Sequence, residues 1–149
     1  MGAQHETHDE ELDALLACES ALLSGVEELR RLSGRRHAED DMPQVLDQLA
    51  EDHQLRAAWL HQRIIERGGE PISESEAGQA VESIAGDLVG QLSGQLAAER
   101  GLEERYRHAV QHTDDPMELR VLQRIHASQR ELTAELQRLL DEARSDGHD

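Results

Sequence analysis

The chain has 149 residues, with 32 Asp and Glu against 15 basic residues and a formal net charge of -17. This length predicts one domain that buries a sufficient core without disulfide bonds, and the single Cys18 cannot pair within the chain. A field this negative repels nucleic acid and anionic membrane surfaces, so neither is an expected partner. The lone cysteine and the lack of a signal-like N-terminus or an apolar run of about 20 residues predict a cytoplasmic protein.

The composition predicts an all-α chain, because Phe is absent, β-branched runs are scarce, and Leu, Ala, Glu, Gln and Arg dominate. After a disordered tail over residues 1–8, leucines at three- and four-residue spacing predict a first helix over residues 9–33. The same spacing predicts a second helix over residues 43–67, with a proline in its first turn and a glycine pair at its end.

Glycines interrupt the next segment, so residues 68–87 are predicted to cross the bundle with one short helical piece. A third helix is expected over residues 87–112 and a fourth over residues 116–143, where the bundle of residues 9–143 ends and a disordered tail over residues 144–149 begins. A connection of about 20 residues is long enough to return along a bundle about 35 Å long. Helices two and three are therefore predicted to be parallel.

Each apolar stripe contains polar residues at positions that the helical period assigns to the interior. They are Glu19 in the first helix, His53 and Arg56 in the second, Glu99 in the third, and His126 with Gln123 one turn before it in the fourth. Because they lie near the middle of each helix, they are expected to form one buried polar network. Burying an unpaired charge costs too much free energy, so these residues must pair with one another or bind a cation.

This order of residues resembles the ferritin-like superfamily, in which helices one and three each give a Glu to two metals, and helices two and four each give Glu-x-x-His. Glu19, Glu99 and His126 stand at such ligand positions. The run Gly-Gly-Glu-Pro after helix two, and Tyr106 seven residues after Glu99, also resemble an uncharacterised bacterial ferritin-like domain family. The resemblance implies a ferritin-like four-helix bundle with a long crossover between helices two and three.

The chain departs from the superfamily pattern at three ligand positions. His53 and Arg56 replace the Glu and the His of helix two, and Gln123 replaces the Glu of helix four. A di-iron oxidase site is disfavoured. Two divalent metals carry four positive charges in total and require about four carboxylates, and Arg56 adds a further positive charge. The loss of half the ligands predicts a degenerate metal site and favours a chain without enzymatic activity.

Two other interpretations of the network remain. Glu19, His53, Glu99 and His126 would suit one divalent ion such as Fe, Mn or Zn. The favoured interpretation has no cofactor. In it, the guanidinium of Arg56 takes the place of the metal charge and bridges Glu19 and Glu99, and the remaining polar residues complete a hydrogen-bonded core.

The favoured function is a non-catalytic ferritin-like bundle that acts through protein contacts, with a role under stress conditions as one hypothesis. The alternative is a metal-binding ferritin-like protein or oxidase. A homo-oligomer is expected, because many bundles of this size cover a leftover apolar face by pairing. Cys18 is expected to be inert, His8 to lie in a solvated tail, and His61, His108 and His112 to need no role.

Overall fold

The computed structural model describes residues 2–33, 41–72 and 87–146. Within these ranges the chain forms four helices and no strand, namely α1 (Gly2–Ser33), α2 (Met42–Glu66), α3 (Leu88–His112) and α4 (Pro116–Asp146). The predicted all-α four-helix bundle is confirmed, and none of the described helices is long and apolar enough to cross a membrane. The loop expected after α1 and the short helical piece expected in the crossing lie outside the described residues.

The glycine pair after α2 ends that helix as predicted. Gly68 has a φ of 85°, a left-handed backbone conformation that residues with a side chain rarely adopt. The Gly69 N–H donates to the Ile64 carbonyl over 2.9 Å, which satisfies a carbonyl in the last turn of the helix. The chain therefore leaves the α2 axis at Gly68.

Aspartates begin α3 and α4. Asp87 accepts a hydrogen bond from the Gly90 N–H over 2.8 Å. Asp115 accepts from the Met117 N–H over 2.9 Å and from the Glu118 N–H over 3.1 Å, directly before the proline that opens α4. Each carboxylate satisfies N–H groups that the first turn of a helix leaves without an intrahelical partner.

Both ends of the chain extend beyond the predicted bundle. α1 begins at Gly2 rather than Asp9, so the predicted disordered tail over residues 1–8 is wrong where the structure describes it. The physical reason is His8, which is buried and pairs with a carboxylate of α4 instead of lying in solvent. At the other end, α4 continues to Asp146, past the predicted limit at 143.

Two apolar clusters form the core, one toward each end of the bundle. The first gathers leucines from the C-terminal halves of α1 and α4 and from the N-terminal halves of α2 and α3. The second gathers the opposite halves of the same helices. α2 and α3 therefore run in the same direction, antiparallel to α1 and α4, which confirms the predicted long crossover. α1 packs on α2 and α3, and α4 packs on α3 and less extensively on α2.

Candidate functional site

His53 stands at the centre of a polar layer that separates the two apolar clusters. Its Nδ1–H donates to Glu19 Oε1 of α1, and its Nε2–H donates to Glu99 Oε2 of α3 over 2.8 Å. The three residues are at most 1% exposed. An imidazole that donates from both nitrogens is protonated, so one imidazolium joins two buried carboxylates.

Electrostatics support this protonation state. Burial lowers the pKa of His53, but the charge of Glu99 and the hydrogen bonds to Glu19 and Glu99 outweigh burial and raise the pKa from 6.5 to about 9. Burial alone would raise the pKa of Glu99, yet the charge and hydrogen bond of His53 hold that pKa below its ordinary value. At neutral pH the pair is therefore ionised.

Three neutral side chains donate the remaining hydrogen bonds to the two carboxylates. The Tyr106 hydroxyl donates to Glu19 Oε2, and burial together with Glu19 raises the pKa of this tyrosine well above 10.0. Gln95 Nε2 donates to Glu99 Oε2 over 2.8 Å, and Gln129 Nε2 donates to Glu99 Oε1 over 2.7 Å. Every carboxylate oxygen in the layer thus faces a donor.

Arg56 brings the second positive charge to the layer. Its guanidinium is buried and donates to Gln129 Oε1 over 2.6 Å and to Ser128 Oγ over 3.1 Å. Nη1 lies 3.8 Å from Glu19 Oε2, and no ion pair to Glu99 occurs among the described residues. The predicted bridge from Arg56 to both carboxylates is therefore wrong, because Nη1 donates to Gln129 Oε1, and it is Gln129 Nε2 that donates to Glu99.

Four of the six predicted network residues meet in this layer, namely Glu19, His53, Arg56 and Glu99. Gln123 is exposed and His126 is only partly buried, so their predicted place in the buried network is wrong. In α4 the interior side follows Leu122, Ile125 and Leu132, and Gln129 is the polar residue between Ile125 and Leu132 on that side. Positions 123 and 126 are turned away from this side.

Sequence reasoning also missed Gln95 and Gln129. Each carries a signal that was available in the sequence. Gln95 lies four residues before Glu99 and therefore on the same face of α3. Gln129 continues the apolar spacing of α4 between Ile125 and Leu132. Glutamines on an interior face next to a buried charge are candidates for its hydrogen-bond partners.

A second buried carboxylate, Glu118, lies near the start of α4. It accepts hydrogen bonds from His8 Nε2 over 2.7 Å, from Arg63 Nε over 2.8 Å and from the Thr113 hydroxyl. Burial would raise the pKa of Glu118, but these donors outweigh burial and lower it from 4.5 to about 2. This cluster ties α4 to α1 and α2 at one end of the bundle.

Comparison with known proteins identifies the architecture. No protein-family model and no curated protein matches this chain. A crystal structure of ferritin-like, diiron-carboxylate proteins from Bacillus anthracis str. Ames is similar over 94% of this chain and 99% of that chain, with a TM-score of 0.75 and 20% sequence identity. The chain has the ferritin-like fold. At this identity the likeness concerns the fold alone, and it confirms the predicted architecture.

The comparison also corrects an expectation about cofactors. The absence of a cofactor was the favoured expectation from the sequence, and this expectation is overturned by the ferritin-like neighbour, which is a diiron-carboxylate protein. A pair of irons nevertheless does not fit the donors of the polar layer. Glu19 and Glu99 are the carboxylates that contact His53, and the fixed charge of Arg56 lies 3.8 Å from Glu19. The donor set suits one divalent ion better than two.

Proposed function

We propose that this chain is a non-catalytic ferritin-like bundle that holds one divalent ion at a degenerate metal site and acts through contacts with other protein molecules. The ligands we assign are His53, Glu99 and Gln95, with Glu19 orienting the imidazole. One observation carries the proposal: the His53 ring lies between two buried carboxylates. We place the protein in the cytoplasm, where its single cysteine would stay reduced.

The contact between Glu19 and His53 supports a metal ion at His53. Metal-bound histidines commonly donate their second ring N–H to a carboxylate, which fixes the tautomer and the ring orientation. Glu19 accepts from Nδ1 and leaves Nε2 facing Glu99 over 2.8 Å. A divalent ion would take the place of the Nε2 proton, with Glu99 as its carboxylate ligand. Imidazole with oxygen ligands suits Fe, Mn or Zn.

An oxygen atom of Gln95 also supports the proposal. The residue is fully buried, and its Nε2 donates to Glu99 and to the Leu22 carbonyl, whereas no partner for its Oε1 exists among the described residues. A buried acceptor without a donor costs about 1 to 3 kcal/mol. Rotation of the amide would exchange the two hydrogen bonds of Nε2 for a bond from this oxygen to a cation beside Glu99. Gln95 is therefore the third ligand.

Arg56 is the reason for proposing one ion and no oxidase chemistry. Its Nη1 lies 3.8 Å from Glu19 Oε2, so a permanent positive charge stands where a second ion would need carboxylates. With one divalent ion, the two charges of the ion and the one of Arg56 would face the two negative charges of Glu19 and Glu99. With two ions, five positive charges would oppose the same carboxylates, which a buried site does not support.

Binding at this layer is tested with Gln95→Leu and the control Gln91→Leu, a buried glutamine one turn earlier on α3. His108 and His112 are replaced by Ala in every protein, so that these two exposed imidazoles do not bind the ions. Untagged protein stripped with a chelator is titrated with Mn²⁺, Fe²⁺ and Zn²⁺ in separate experiments. We expect one bound ion and, at a concentration 100-fold above Kd, a stabilisation of about 2.7 kcal/mol.

Gln95→Leu should weaken this binding at least about tenfold, and Gln91→Leu should leave it unchanged. If the metal ion binds equally well to Gln95→Leu and to the protein that keeps Gln95, the ligand assignment is contradicted. Absence of binding up to about 1 mM metal would contradict the function itself.

Self-association is the protein contact that we predict. The bundle leaves large apolar side chains exposed, with Leu55 at 63%, Ile65 at 47% and Met117 at 70%. We expect a homodimer or larger oligomer that becomes tighter as salt rises from about 0.01 to 1 M, because screening reduces repulsion between acidic subunits. Light scattering measures this. Leu55→Glu should weaken association more than Gln54→Glu, which adds the same charge, and a monomer at every salt concentration would refute the prediction.

A further inference from the structure

We propose that Glu11 of α1 and His108 and His112 of α3 form a surface Zn²⁺ site, separate from the polar layer. Each of the three residues offers one ligand atom, and these atoms all lie within 4.8 Å of one another. The two histidines were expected from the sequence to need no role, although their spacing of four residues places them on one helix face. The proposal goes beyond the central site, because none of these residues contacts His53 or Glu99 among the described contacts.

The topology brings the three residues together. α1 and α3 are antiparallel neighbours, so the first turns of α1 lie beside the last turns of α3. The rings of His108 and His112 stack with their centroids 4.0 Å apart and an interplanar angle of 29°. His112 is the last residue of α3, and the carbonyl end of a helix favours positive charge. The end of α3 therefore favours a cation beside His112.

A backbone hydrogen bond prepares His112 as a ligand. Its Nδ1–H donates to the His108 carbonyl over 2.7 Å, and a carbonyl can only accept. The proton is therefore on Nδ1, and Nε2 of the neutral ring keeps its lone pair. Metal-bound histidines commonly hold their second nitrogen in such a bond to a carbonyl or carboxylate. In His108 it is Nδ1 that faces Glu11 Oε2, so a zinc ion bound by both residues would take the place of the proton on Nδ1.

Glu11 supplies a carboxylate that lacks a full set of partners. Its side chain is only 12% exposed, and its buried Oε1 has no hydrogen-bond donor in the described part of the chain. That oxygen lies 3.4 Å from Nδ1 of His8, which itself is bound to Glu118 through Nε2. An incoming cation would balance the partly desolvated charge of Glu11.

Two imidazoles and one carboxylate with an open position form a donor set that zinc uses. Ligand atoms around a tetrahedral zinc ion at about 2.0 to 2.1 Å stand roughly 3.4 Å apart, so the exposed rings need only small rotations to reach it. A cleft of about 340 Å³ adjoins Glu11 and His108, and its other lining residues are Glu104, Arg105, Arg107 and Gln111. Water in this cleft can fill the remaining coordination position.

The test is a Zn²⁺ titration of the untagged full chain against a chromophoric chelator, with excess Mg²⁺ to occupy oxygen-only sites on the acidic surface. The variant His108→Ala/His112→Ala should bind zinc at this site at least about tenfold more weakly than wild type. His61→Ala removes an exposed histidine from α2 and should leave zinc affinity unchanged. Thermal melts in chelator should be the same for all three proteins, since these histidines are exposed.

Histidine ring signals in NMR spectra provide the second measurement. Zinc should shift the signals of His108 and His112 and leave that of His61 in place. Gln95→Leu separates the two proposals, because it disrupts the central site and should retain zinc at the surface. Zinc binding that survives in His108→Ala/His112→Ala with unchanged affinity and stoichiometry overturns the surface site, whether or not the central site binds.

Discussion

Replacing His53 with leucine should lower the free energy of unfolding by about 3 to 5 kcal/mol at pH 7 in chelator, the usual cost of breaking a buried ion pair. Leucine fills the volume but leaves Glu99 without its counter-charge, while Glu19 keeps the Tyr106 hydroxyl as a donor and the more distant guanidinium of Arg56 as its positive charge. Denaturant unfolding measures the loss. His61→Leu, at an exposed position of the same helix, should change stability by no more than about 0.5 kcal/mol.

The pH profile of unfolding identifies the cause of that loss. His53 has a folded-state pKa of about 9 against an ordinary value of 6.5. Its contribution to stability is therefore fully present below pH 6.5 and is lost as the pH rises through 9. Wild type should weaken over this range, and His53→Leu should not. A variant that keeps the alkaline decline would show that another group titrates there.

Glu118→Gln is the second change with a large expected effect. The folded-state pKa of Glu118 is about 2, against 4.5 ordinarily, so its charge contributes about 3 kcal/mol at pH 7. This contribution is present above pH 4.5 and is lost as the pH falls through 2. Glutamine keeps the shape but removes the charged acceptor of His8 Nε2 and Arg63 Nε, and stability at pH 7 should fall by a similar amount.

Acid unfolding distinguishes this explanation from a packing defect. Wild type should lose stability between pH 4.5 and about 2 more steeply than Glu118→Gln. Glu131→Gln, at an exposed position of α4, serves as the matched control and should follow the wild-type curve. If Glu118→Gln and wild type show equal slopes in acid, the carboxylate of Glu118 does not provide the stabilisation.

Helix positions were predictable from the sequence because the signals are local. Apolar spacing and stop residues predict ends at 33 and 112, where α1 and α3 do end. The start of α1 was not predictable by the same means. Its first turns are held by the contact of His8 with Glu118, which lies 110 residues away in the chain. No local pattern reveals such a partner.

The residues of the central site were predictable where the helical spacing of apolar residues placed them in the interior. Glu19, His53 and Glu99 interrupt clear leucine stripes, and they meet in the structure. His126 was chosen because it continues the spacing of Leu119 and Leu122, and Gln123 because it lies one turn before His126. In the structure the interior side of α4 passes through Ile125 and Gln129 instead. Glutamines such as Gln129 carry no charge, so the argument that buried charges must pair does not select them.

The polar layer divides the apolar core into two clusters, and we infer that this division fixes the register of the helices. A slip of one helix by one turn, about 5.4 Å, would move its polar residue among leucines and leave an opposing charge buried alone. Leucine stripes alone would tolerate that slip, because leucine would still meet leucine. Glu19, His53 and Glu99 thus exclude misaligned bundles that the apolar residues would accept, as a single buried polar residue does in coiled coils.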